Sequence, residues 1–225
     1  MDRETPSKET VIAGRKLSDQ GADAQQSPRL ILASGSPRRL ELLRNLQLEV
    51  DVIPSLIEEE ISADLAPAEL TVGLALAKAL AVAGSTLEES SPPTLVLAAD
   101  TIVVLEGVVI GKPGSKEEAI QILGRLSGRR HEVYTGVALI EHPSNRRLTA
   151  YERSSVYFRS ITSREIEAYV HTREPMDKAG AYALQGIGSI FVERIEGCFS
   201  NIIGLPLPLV VRLLRQFGLS VLGTP

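Results

Sequence analysis

The chain has no tryptophan, a single cysteine (Cys198) and no aromatic side chain before Tyr134, although it is 225 residues long. One cysteine excludes an intramolecular disulfide and any Cys-rich zinc or iron–sulfur site, which suits a reducing compartment such as the cytoplasm. Proteins that grip single-stranded nucleic acid stack bases on aromatic rings, so the first half of the chain offers no such platform. Whatever that half recognises, it reads with charge, backbone and aliphatic surface. An excess of positive charge is missing too. The 24 Lys and Arg stand against 28 Asp and Glu, a formal net charge of -4, which argues against a globally basic nucleic-acid binder. No uninterrupted apolar run approaches the roughly 18 residues of a membrane span, and Met1–Pro28 lacks the apolar stretch of a secretory signal. Neither nucleic acid nor membrane is an expected partner.

What remains is ordinary for a globular enzyme-sized chain. Hydrophobic residues make up 44% and charged residues 23%, enough to bury a core without disulfides or a structural metal. Residues 1–28 mix charges with Ser, Gln, Pro and Gly and read as a mobile N-terminal extension; residues 29–225 read as one domain. Within the domain, Arg29–Ala33 has strand length and a helix follows, with Ser36 placed to cap it and Pro37 at its first position. A strand is expected at Leu48–Ile53, a helix at Pro67–Ala83, and a buried strand at Leu95–Ala99 ending at Asp100. Ile102–Leu105 and Val108–Ile110 flank a Glu106-Gly107 turn. Ser115–Glu118 opens a helix to Leu126, and Thr162–Glu165 opens another to about His171. Strands near 131–141, 148–159 and 190–195, an irregular or helical stretch over 174–185, and a closing helix at 207–217 complete the pattern. Strands and helices alternate, with antiparallel hairpins included, so the prediction is a single α/β domain with a mixed sheet flanked by helices.

Several residues bear on chemistry. The turn Ser34-Gly-Ser-Pro-Arg-Arg39 joins a strand to a helix N-terminus, whose unpaired N–H groups and partial positive charge attract phosphate. Ser34 and Ser36 add hydroxyls, and Arg38 and Arg39 add forked permanent charge. A well-capped helix with two solvated arginines is the plainer reading of the same residues. Asp100 follows an apolar strand, where a carboxylate is costly to bury unpaired; it is a metal ligand, a general base or a turn cap, with Thr101 beside it. Glu58-Glu59-Glu60 is either an acidic metal site or a solvated face. Lys78 stands in an Ala/Leu-rich helix, where it snorkels or serves a site. Lys112 in Gly-Lys-Pro is a turn residue or a phosphate contact. The three histidines share no metal-ligand spacing. Acids and bases together suit a metal-bridged polyphosphate site, in which carboxylates hold Mg²⁺ and Lys and Arg neutralise phosphate oxygens.

Leu-Ala-Ser-Gly-Ser-Pro-Arg-Arg (32–39), Ala-Ala-Asp-Thr-Ile-Val (98–103), Gly-Lys-Pro (111–113) and Leu-Ser-Gly-Arg-Arg-His-Glu-Val-Tyr-Thr-Gly-Val (126–137) resemble motifs of the Maf family of nucleoside triphosphate pyrophosphatases. So do Glu-Pro-Met-Asp-Lys-Ala-Gly-Ala-Tyr-Ala-Leu-Gln-Gly (174–186) and Ile-Glu-Gly-Cys-Phe-Ser-Asn-Ile-Ile-Gly-Leu-Pro (195–206). The resemblance runs over about residues 29–217. It implies a central cleft and hydrolysis of the α–β phosphoanhydride of a nucleoside triphosphate, giving a monophosphate and pyrophosphate. The Lys-Ala-Gly-Ala-Tyr and Gln-Gly forms resemble the branch acting on dTTP and UTP, with modified pyrimidine nucleotides as further substrates. By motif position Asp100 is the catalytic acid or base, helped by Lys78 and Lys112. Arg38, Thr101 and Gln185 set substrate choice, while Ser34, Arg39 and Lys178 are further binding positions. A divalent cation, Mg²⁺ or Mn²⁺, would be held by Asp100 and Glu59, the register within Glu58–Glu60 being open. The nucleotide is the expected partner, with homodimerisation left open. The same resemblance allows a non-hydrolytic nucleotide-binding regulator of septum formation.

Overall fold

Along β2 (Arg29–Leu32) and β4 (Thr94–Leu105), successive side chains point to opposite faces of the sheet, and both faces are apolar. Leu30, Leu32, Leu95, Leu97 and Ala99 join one cluster with α1 (Pro37–Asn45) and α6 (Leu207–Arg215). Ile31, Ala33, Val96 and Ala98 join another with Ala75, Ala79 and Val82 of α2 (Pro67–Thr86). Helices on both faces therefore follow from strands that are hydrophobic on both faces over Leu30–Leu32 and Leu95–Ala99. The computed structural model describes residues 10–12, 28–57, 65–88 and 91–222.

The eight-stranded sheet has the order β1-β7-β6-β4-β2-β3, with β5 paired to β4 and β8 paired to β7. β2 lies parallel to β4 and to the two-residue β3 (Asp51–Val52); the remaining pairings are antiparallel. β6 (Arg130–His142) and β7 (Arg147–Phe158) form the long hairpin, and β5 (Val108–Ile110) returns from β4 through Glu106 and Gly107, both at positive φ. β8 is Val192–Glu196. The three-residue β1, Thr10–Ile12, pairs with Thr149–Arg147 of β7, so this part of the segment read as a mobile extension adds an edge strand.

Two expectations change. β4 does not end at Asp100; it runs through it for 12 residues, because β6 pairs with it from Thr94 to Val104. A short α5 (Phe199–Ile203) stands where no helix was expected, since five residues are too few to show a helical period. α3 (Lys116–Leu126) and α4 (Ser163–His171) start at the anticipated caps, α4 with the full reciprocal box between Thr162 and Glu165. They cover a third cluster built on Val103, Leu105, Val133 and Phe158.

α2 has the length and composition to cross a membrane, at 20 residues and a mean hydropathy of 1.4. Here it lies along β4 and β6, and a small residue makes that possible. A Cβ at Gly136 would sit 2.2 Å from the Thr71 carbonyl, so the helix backbone approaches the strand as only glycine permits.

Candidate active site

The cleft forms where one strand stops and its neighbour continues. β2 pairs with β4 only as far as Leu32 opposite Leu97, whereas β4 goes on beside β6. One edge of β4 is thereby opened at Ala98–Thr101, and the chain from β2 turns away there into α1. In sheets with parallel strands this is where ligands bind. A cavity of about 580 Å³ occupies the gap. Ser34, Arg38, Arg39, Lys78, Asp100, Thr101, Lys112, Lys178 and Gln185 all line it, so every expected site residue among the described ones is brought together. Glu58, Glu59 and Glu60 lie outside the described residues.

Strand alternation divides the work at the floor. Asp100 projects to the α2 face, where Lys78 Nζ donates to its Oδ1 at 2.5 Å; Asp100 is 5% and Lys78 8% exposed. The lysine that stood out in an apolar helix therefore does not snorkel to the surface. A lone charge in this place would be prohibitive, and the pairing is what allows both to be buried. Thr101 projects to the opposite face, in the gap between the cluster of Ala99 and that of Val103. Its hydroxyl lies 2.9 Å from the Thr135 hydroxyl and accepts from Arg39 Nη2 at 3.1 Å.

The serine turn differs in detail from its anticipated form. Ser36 occupies the cap position of α1 without a side-chain hydrogen bond, and its own N–H donates to Ser34 Oγ at 3.3 Å. The N-terminus of α1 is thus left without a hydroxyl cap beside the cavity. Arg39 is directed largely at protein. Its Nε donates to the Gly204 carbonyl and its Nη1 to the Ala99 carbonyl, each at 2.8 Å, and Nη1 also reaches Ser34 Oγ at 3.1 Å. It ties turn, strand and the end of α5 into one frame. The guanidinium of Arg38, half-buried, makes no hydrogen bond to a described residue. Burial holds its guanidinium pKa below the ordinary value, against the pull of Asp177 and Glu174.

The far wall comes from the stretch 174–191, a run of three short 3₁₀ turns. Lys178 is ion-paired with Asp177. Lys112 and Gln185 are exposed at the rim. Tyr182 belongs to the core: it is 5% exposed, its hydroxyl lies 3.0 Å from His131 Nε2, and its ring packs edge-on against Phe158. Burial raises its phenol pKa and lowers that of His131 to about 4. Two cavity carboxylates were not singled out from the sequence. Asp177 and Glu174 were hidden inside the Glu-Pro-Met-Asp run, where nothing in the spacing separates a site acid from a surface one. Asn201 was missed as well. It is fully buried and donates from Nδ2 to the Val133 carbonyl and to Ser154 Oγ, both at 3.0 Å.

A divalent cation can be tested against these groups. Among the described residues no cluster of three or more His, Cys, Asp or Glu is arranged to hold a metal. Mg²⁺ is commonly bound by one or two carboxylates together with substrate phosphates and water. Asp100 fits that sparse arrangement, as one ligand of an ion that arrives with a polyphosphate.

A buried Lys–Asp pair beneath the N-terminus of a helix, in a cleft at the end of a parallel strand, is the ligand-binding arrangement of an α/β protein suited to phosphate. The family model described as "Maf-like protein" matches residues 29–217, and the chain belongs to this family. It is 48% identical over 194 residues to a dTTP/UTP pyrophosphatase of Caldicellulosiruptor bescii, covering 86% of this chain and 97% of that protein. Over 193 residues it is 48% identical to a protein of the same name from Bacillus anthracis, again with 86% and 97% coverage. Among solved structures, a nucleoside-triphosphatase (dITP/XTP pyrophosphatase) from Mycobacterium abscessus aligns with a TM-score of 0.41 at 15% identity, over 84% of this chain and 97% of that one.

Proposed function

We propose that the protein is a nucleoside triphosphate pyrophosphatase of the cytoplasm. It hydrolyses dTTP and UTP between the α and β phosphates to the monophosphate and pyrophosphate. The observation that carries this is the Lys78–Asp100 pair, buried at the floor of a cavity whose wall is the Ser34–Arg39 turn. A protein that only bound nucleotides would have no need of an acid at the phosphates, where it repels the ligand unless a metal lies between them.

Each group has a role in this reading. The N–H groups at the start of α1, Ser34 and Arg38 take the phosphates, and Arg39 keeps Ser34 and Thr101 in place. Asp100 accepts a proton from the attacking water. Lys78 and Lys112 offset charge that builds on the departing pyrophosphate. Lys178 draws the nucleotide towards the far wall, where Gln185 meets the pyrimidine edge through an amide donor and acceptor together. Mg²⁺ or Mn²⁺, held by Asp100 with Glu59, would polarise the phosphoryl group under attack.

The test is a panel of UTP, dTTP, CTP, GTP and ATP with Mg²⁺ or Mn²⁺, scoring pyrophosphate and monophosphate release. UTP and dTTP should be turned over with the highest kcat/KM. Binding without release would make the protein a nucleotide-binding regulator instead, and a purine preference would overturn the substrate assignment.

A further inference from the structure

We infer that Glu174 is the positioning residue of the base-reading loop: with the Tyr169 hydroxyl, its carboxylate fixes the backbone on both sides of Gln185 and so sets which base the site accepts. This rests on the reading of Gln185 as the residue that meets the base. Gln185 is exposed and makes no hydrogen bond to a described residue, so its aim is inherited from the backbone that carries it. That backbone is held at both ends by one polar junction. Before Gln185, the Ala183 N–H donates to Tyr169 Oη at 3.2 Å. After it, the Ile187 N–H donates to Glu174 Oε2 and the Gly188 N–H to Oε1, both at 3.0 Å. The Tyr169 hydroxyl closes the circuit by donating to Oε1 at 2.8 Å. The loop is thereby tied to α4, which carries Tyr169, and to the turn at Glu174–Asp177.

The junction is closely fitted. A Cβ at Gly186 would lie 2.6 Å from Glu174 Oε2, and one at Gly188 would lie 2.6 Å from Tyr169 Oη. Its chemistry also calls for a carboxylate. Three donors converge on two oxygens, and only an ionised acid offers acceptors in every direction; an amide would turn its own N–H₂ against one of the backbone N–H groups. Such charge-assisted bonds are the stronger kind. Burial works against the ionised form, but the Gly188 and Ile187 N–H groups and the Tyr169 hydroxyl outweigh it, holding the acid below the usual carboxylate range. The hydrogen bonds of the Glu174 carboxylate go to Tyr169, Ile187 and Gly188 and none to Asp100, Lys78 or the Ser34–Arg39 turn, although its charge acts on Arg38, so its loss should be felt chiefly at the base.

The experiment measures kcat and KM for UTP, dTTP, CTP and GTP in wild type, Glu174→Gln, Tyr169→Phe and Gly186→Ala, with thermal melts to confirm folding. Glu174→Gln should raise KM for the preferred nucleotide by about 10-fold and flatten base preference by a similar factor, with a smaller effect on kcat. Tyr169→Phe should act in the same direction by ~3-fold. Gly186→Ala reaches the junction without altering Glu174, and keeps the test open if Glu174→Gln does not fold. Adding Gln185→Ala to Glu174→Gln should give no further loss of preference than Gln185→Ala alone, because both act on one contact. Additive losses, or an equal fall in kcat for all four nucleotides, would overturn the inference. A wild type that prefers a purine refutes the pyrimidine reading alone; the positioning role then stands or falls on whether Glu174→Gln erases that preference. A wild type with no base preference overturns the role.

Discussion

At one end of the cleft, Asp100 and Lys78 sit on a 12-residue strand and a 20-residue helix, the helix seated close against the neighbouring strand β6 at Gly136. At the other end, Gln185 hangs between short 3₁₀ turns held by the carboxylate of Glu174. Under the proposed function, the difference matches what each end has to do. Every nucleoside triphosphate presents the same phosphates, so the reacting end gains from rigid elements that keep charges within a fraction of an ångström. Bases differ, and a loop on a few hydrogen bonds can change its reading without disturbing the sheet.

If that division holds, substitutions at the two ends should fail in different ways. Asp100→Asn should have the largest effect, a fall in kcat of ~10²–10⁴ for all nucleotides alike, with affinity for the metal-free nucleotide similar or tighter because a repelling charge is gone. A variant keeping more than about a tenth of wild-type kcat would remove Asp100 from the role of base. Gln185→Glu should instead be selective. It preserves shape but loses the amide donor and sets a negative charge against a carbonyl oxygen, costing about 5–150-fold in kcat/KM for dTTP and UTP and less for CTP and GTP. A uniform loss across the four would erase the contrast between the ends.

His131 is buried beneath the cavity-lining Tyr182, with its ring edge-on to Phe158. Burial keeps its pKa at about 4 in the folded protein against 6.5 when free. The unfolded chain therefore takes up a proton in a range where the folded chain does not. Stability from this residue is complete above pH 6.5 and declines as pH falls towards 4, by up to about 3 kcal/mol. Melting curves between pH 7.5 and 4.5 should show that decline, and His131→Gln should weaken the pH dependence while lowering Tm overall. An unchanged slope would mean that other groups carry the acid sensitivity. The smallest effect is expected away from both ends. Thr162→Ala removes half of the α4 capping box and should cost about 1 kcal/mol of stability, with kcat and base preference following wild type. A change in base preference there would show that α4, through Tyr169, reaches the loop more directly than the hydrogen bonds describe.

Much of this architecture was legible in the residue order. The strand, Ser34–Arg39 turn and helix, the Glu106-Gly107 hairpin and the Ser115 and Thr162 caps rest on interactions within four residues, so the local pattern carries them. The nine described site residues could be named singly from charge in unlikely surroundings and from motif resemblance, and all nine line one cavity. What could not be read was who holds whom. Ser36 was expected to cap α1, but Ser34 took its N–H instead. Arg39 was expected on phosphate, and much of its fork is directed at Ser34, Ala99, Thr101 and Gly204. Those partners lie up to 165 residues away in the chain. A guanidinium has five donors whatever their destination, and only the packed structure assigns them.

The amino-acid sequence by itself determined the α/β class, the absence of a disulfide and the inventory of charges, because composition and short-range periodicity act before any tertiary contact forms. The tertiary structure decided where β2 ends against β4 and hence where the cleft opens. It decided that alternate residues of one strand, Asp100 and Thr101, serve opposite faces of the sheet. It also decided that Glu174, one acid among 28 Asp and Glu in the chain, is the one on which the Gln185 loop is hung. Burial and hydrogen-bond satisfaction are properties of neighbours in space, and a carboxylate acquires its role only when three donors converge on it.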